Sequence, residues 1–156
     1  MKINQKRIKD LAGLYLRLML GFTLLSAVAD RFGLWGAPGA EGVAWGNWEN
    51  FVTYTYQLNA FAGGAMAPVL ATIVTGLEIL FGTTLILGYK TRWTALGTAA
   101  LILLFALAMT YALGIKAPLD YSVFVDSAAA LLLAGIAHYR WSIDERLQLK
   151  KSQTSI

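Results

Sequence analysis

The chain has 156 residues, of which 57% are hydrophobic and only 14% charged, against about 25% charged in ordinary soluble domains. That composition excludes a typical soluble domain and points to one compact membrane domain over residues 1–156. The net charge of +4 falls in short basic clusters at the ends of apolar stretches, which argues against nucleic acid as a partner; with no cysteine and a single histidine, His138, dithiol relays, iron–sulfur ligation and multi-histidine metal sites are excluded too.

Four apolar stretches follow in chain order, each near the 20 residues or so that about 30 Å of hydrocarbon requires, and backbone hydrogen bonding there demands helices. The first, predicted over about 9–31, carries Arg17 in its middle. Its basic start (Lys2, Lys6, Arg7, Lys9) and the Ala27-Val28-Ala29 triplet imitate a signal peptide. The apolar region is too long for one and holds an arginine, so a retained helix is expected.

An extracytoplasmic segment over 32–66 comes next, too long for a plain loop. It opens with Gly33, Gly36, Pro38 and Gly39 and then turns aromatic. Trp48, Phe51 and Val52 share the i, i+3, i+4 spacing of an amphipathic helix, and Tyr56 extends the stripe. A short interfacial helix near 47–60 is predicted, serving as an anchor or as a lid over the outer mouth.

The second span, 67–88, has Glu78 at its centre; the third, 92–115, has no charge beyond its first turn; the fourth, 120–141, holds Asp126 and His138. Gly88 and Gly114 are placed to end the second and third helices in the left-handed conformation. Thr91 and Asp120 suit the N-caps of the third and fourth, with Pro118 breaking the chain between them. The fold class expected is all-α: a four-transmembrane-helix bundle with a short extracytoplasmic interfacial helix between the first and second spans. Ten Lys and Arg on one side against Arg31 and Lys116 on the other put both termini in the cytoplasm of a bacterial inner membrane. Residues 142–156 read as a solvated cytoplasmic tail.

Charges inside a bilayer are expensive and point to a partner or a wet cavity. Gly13, Arg17 and Gly21 share one helix face, as do Ala71, Thr75, Glu78 and Gly82, and as do Ser122, Asp126, Ala130, Ala134 and His138. At 1.5 Å per residue Arg17 lies about 9–12 Å from the cytoplasmic end, Glu78 about 14 Å and Asp126 roughly 20 Å. Arg17 and Glu78 are therefore expected to meet, either as a buried pair locking two helices or as a polar binding site.

The runs Leu16-Arg17-Leu18-Met19-Leu20-Gly21, Gly76-Leu77-Glu78 and Leu87-Gly88-Tyr89-Lys90-Thr91-Arg92 resemble motifs of the DoxX family (DoxX/DoxD-like four-helix integral membrane proteins). Trp45-Gly46-Asn47-Trp48 and Pro118-Leu119-Asp120-Tyr121 resemble its larger-loop members. The resemblance implies association with an oxidoreductase system. On that footing the leading expectation is a membrane subunit that binds a quinone or similar lipophilic molecule through Arg17, Glu78, Asp126, Thr75, Tyr54 and Trp48 and docks a redox partner. It would be surrounded by membrane lipids, with no metal, no covalent cofactor and no self-contained catalytic constellation; a homo-oligomer is compatible with it. The alternatives are small-molecule or lipid transport, and a structural membrane anchor for a partner.

Overall fold

The computed structural model describes residues 5–154; Lys2 of the basic N-terminal cluster lies outside them. Among the described residues the chain is all-helical. Helix α1 (Gln5–Arg31) leads to α2 (Trp48–Leu58), two 3-10 turns at Ala60–Ala62 and Gly64–Met66, α3 (Ala67–Leu87) and α4 (Thr91–Leu113). Then come α5 (Lys116–Asp120), α6 (Val123–Ala134) and α7 (Ile143–Thr154). Three of these, α1, α3 with the turn before it, and α4, are long and apolar enough to cross a membrane. The fourth expected span is shorter than predicted. α6 has 12 residues, about 18 Å of helix against about 30 Å of hydrocarbon.

The reason lies at both of its ends. Pro118 does not break the chain: it sits within α5 near its start, where the missing N–H costs no helical bond. Asp120 ends α5 and pairs with Lys116 instead of capping the next helix. The break falls at Ser122, whose φ of 57° is left-handed. At the other end α6 stops at Gly135, and the irregular segment up to residue 142 is held by its own polar groups. The Tyr139 hydroxyl donates to Leu133 O at 3.1 Å and to Ala134 O at 3.4 Å, meeting carbonyls that a helix end leaves open.

The core joins Leu20 and Leu24 of α1, Leu85 of α3, Ala95 and Ala99 of α4, and Ala130, Leu133 and Ala134 of α6. Outward faces carry Phe22, Ile73, Leu80, Leu104, Leu107, Leu131 and Leu132, all exposed. Small residues where helices meet, here Ala95, Ala99, Ala130 and Ala134, with large apolar side chains facing out, are what membrane bundles show. α1 and α3 come closest at two glycines. A Cβ on Gly21 would lie 2.9 Å from Gly82 O, and one on Gly82 would lie 3.1 Å from Gly21 O.

This contact fixes the antiparallel register of α1 and α3, and the register overturns the expected meeting of Arg17 with Glu78. With Gly21 opposite Gly82, Arg17 is level with Gly88 and Glu78 lies toward the far end of α1. α1 begins well beyond the C-terminal end of α3, so depths counted from a shared boundary do not apply.

Candidate functional site

The residue that meets Glu78 is Arg31, the last of α1. Arg31 is 1% exposed and Glu78 7%, so both charges are removed from solvent and must satisfy each other. Arg31 Nη1 forms an ion pair with Glu78 Oε2 and donates to Thr75 Oγ1 at 2.8 Å. Beyond this ion pair, Glu78 Oε2 has no other hydrogen-bond partner among the described residues. The guanidinium also lies over the Phe51 ring, 3.7 Å from its centroid, and beside Trp45 at 5.3 Å. Cation–π contact of this kind strengthens when both partners are desolvated.

Asp30, one residue earlier, ties down the loop that brings those rings in. Its carboxylate accepts from Ala44 N at 2.8 Å, Trp45 N at 3.2 Å and Gly46 N at 2.9 Å. Gly46 has φ 69°, and a Cβ there would collide with the backbone of Ala37 and Pro38; only glycine closes this loop. Asn47 then caps α2 through Asn50 N at 2.8 Å. The helix predicted near 47–60 is thus present as α2, but its inward face is Phe51, Thr55 and Leu58. Tyr56 is exposed and Trp48 and Val52 sit on the flank, so the stripe is turned by about one residue. It turns because Phe51, not Trp48, covers the buried arginine. Trp48 stacks on Phe32 instead, ring planes 8° apart.

Beneath α2 two apolar cavities open against α4. One, of about 430 Å³, runs between α2, α3 and α4, lined by Thr55, Leu58, Leu70, Leu101, Phe105 and Tyr111 among others. The second, of about 600 Å³, lies on the other side of α2 and reaches Tyr54, Asn50, Gln57, Met109 and Tyr121. Tyr54 packs against Trp45 and Phe105 with centroids 5.8 and 6.4 Å apart. Burial raises the Tyr54 hydroxyl above its usual pKa, with Tyr121 adding to the rise, so it stays a neutral donor at ordinary pH.

The six expected site residues therefore separate. Glu78 and Thr75 join through Arg31, Trp48 stands on the outer rim beside Thr75, and Tyr54 lines a cavity. Arg17 belongs elsewhere: it is 2% exposed and donates to Trp141 O at 2.8 Å. Asp126 is half-buried on the flank of α6; its backbone N–H donates to Ser122 O at 3.0 Å, and its carboxylate faces no ion-pair partner among the described residues. The buried face of α6 is Ser127, Ala130, Leu133 and Ala134, with Ser127 Oγ donating to Ala99 O at 2.9 Å. His138 is exposed beyond the helix end.

Arg17 forms part of a second knot, one the expectation of a solvated tail missed. Asp144 caps α4 by accepting from Lys90 N and Thr91 N, both at 2.8 Å, while its own N–H donates to Gly88 O at 3.0 Å. Thr91 is accordingly not the cap; Lys90 precedes the helix with a left-handed φ of 47°. Gly88 ends α3 left-handed as expected, whereas Gly114 ends α4 with φ 85° and ψ 160°, outside that region. Ser142-Ile143-Asp144-Glu145 carries the signal for α7: Glu145 N donates to Ser142 Oγ at 3.0 Å.

The long apolar helices and their outward side chains define a multi-pass helical membrane protein. The model of the family described as methylamine utilisation protein MauE matches residues 9–120, more than half of the chain, and the chain belongs to that family. This match overturns the DoxX resemblance. The motifs that carried it have packing duties here: Arg17 holds the Trp141 carbonyl, Gly21 meets Gly82, and Gly88 accommodates Arg17 and Ser142. No curated protein and no solved structure matches the chain.

Proposed function

We propose that this protein is a non-catalytic membrane component of a methylamine-utilisation redox system, holding a quinone-type lipophilic molecule beneath α2 and presenting its capped end to a redox partner. The observation that carries this reading is the pair of apolar cavities flanking α2, each within the size range of small-molecule sites and each offering a few polar groups in an apolar wall. Oxidising an amine releases electrons and protons together, and a quinone is a lipophilic carrier that takes up both. With no cysteine in the chain, a redox route would use the bound molecule or a partner's cofactor. Thr55, Asn59 and Tyr111, in the first cavity, are the groups we assign to ring contact; Arg31, Glu78 and Thr75 hold the cap over them.

The same reading places the protein in the bacterial cytoplasmic membrane with both termini inside. The fourth crossing is then made by α5, α6 and the irregular segment after it. Its support is that Asp144, beyond α6, returns to the α3–α4 turn. Purification in mild detergent followed by extraction and mass spectrometry tests the ligand. We expect near-stoichiometric quinone in the wild type and a clear loss in Ala108→Trp, which fills the first cavity. A preparation carrying only phospholipid, unchanged by that substitution, would exclude the quinone.

A further inference from the structure

We propose that the groove between the first turn of α4 and α7 binds the phosphodiester headgroup of an anionic membrane phospholipid, a site separate from the cavities under α2. The groove, of about 440 Å³, is lined by Lys90, Arg92 and Lys151, with Trp93, Tyr139 and Ile136 beside them. Lys90 comes from the α3–α4 turn, Arg92 from the first turn of α4 and Lys151 from α7, so positive charge converges on one space from separate segments. The acid in the lining, Asp144, has both carboxylate oxygens turned to the Lys90 and Thr91 amides. Its carboxylate is thereby fixed as the cap at the start of α4. Tyr139 has spent its hydroxyl proton on the end of α6.

Position selects a lipid over a soluble phosphate. The groove lies where α4, an apolar helix of 23 residues, begins, which is the edge of the hydrocarbon layer. Trp93 is 72% exposed there, and exposed tryptophan favours the headgroup level. Ile136 and Leu147 give the groove an apolar wall where a glycerol backbone and the first acyl carbons would rest. Basic pockets beside membrane helices bind anionic headgroups through this combination of charge and adjacent apolar surface.

The test uses the full chain in detergent, titrated with phosphatidylglycerol or phosphatidylcholine of identical acyl chains and read by native mass spectrometry. One retained phosphatidylglycerol and no retained phosphatidylcholine are expected. Arg92→Gln with Lys151→Gln should weaken binding about tenfold or more. Gln148→Glu, on the exposed surface of α7 in the same groove, should weaken it without touching a cation or the fold. Lys116→Gln, at the opposite end of α4, should leave it unchanged. Equal retention of both lipids, or wild-type binding by both groove variants, would overturn the proposal. Displacement of phosphatidylglycerol by millimolar inorganic phosphate would replace the lipid with a soluble anion.

Discussion

Arg31 and Glu78 are a pair that stands or falls together. Removing one partner of a buried ion pair leaves an uncompensated charge and costs about 3–5 kcal/mol, whereas replacing both by apolar groups is often near neutral. Glu78→Leu is therefore expected to destabilise the protein by about that amount, and Arg31→Met with Glu78→Leu to recover most of it. Unfolding in mixed micelles, followed by tryptophan fluorescence, measures both; equal losses in the single and double variants would show that the pair is not what holds α2. Gly88 makes a second point at this scale. Its φ of 68° costs a side-chain-bearing residue about 1–2 kcal/mol, and a Cβ would also strike the Arg17 guanidinium and Ser142. Gly88→Ala should thus loosen the segment around Trp141, seen as faster tryptic cleavage at Arg140 and Arg146.

Elements were legible in the sequence where one helix carried its own signals, and illegible where two segments had to meet. The end of α3 at Gly88 follows from backbone chemistry that the residue brings with it. So does the inward face of α3, Ala71, Thr75, Glu78 and Gly82, all buried as their spacing implies. The partner of Glu78 did not follow. It depends on the offset between α1 and α3, which the Gly21–Gly82 contact sets and no single-helix pattern encodes. The cap of α4 is a similar case, since Asp144 lies more than fifty residues away from Lys90 and Thr91. Losing an N-cap costs about 1 kcal/mol. Asp144→Ala should accordingly speed amide exchange at Lys90 and Thr91 while leaving the middle of α4 protected, and uniform exchange along α4 would mean the cap has no local role.

At the scale of the whole molecule, the two knots sit at opposite ends of the bundle, one closing the loop over α1 and α3, the other closing the C-terminal segment onto Gly88 and Arg17. A charge inside the bilayer predicts a partner. Three such charges do not predict one shared site, because each can be met by whichever backbone or side chain the register delivers. Arg17 found a carbonyl, Glu78 an arginine at a helix end, and the Asp126 carboxylate no ion-pair partner among the described residues. If Asp144 and Arg17 share one face of the membrane, as their common contact with Gly88 requires, then 12 helical residues and an irregular stretch must carry the chain across. The cysteine-free sequence makes this measurable with single substitutions. Lys6→Cys and Gln148→Cys should react with a membrane-impermeant maleimide only after cells are opened, and Glu41→Cys should react in intact cells. Labelling of Gln148→Cys together with Glu41→Cys would mean that α6 does not cross and that the chain spans the bilayer three times.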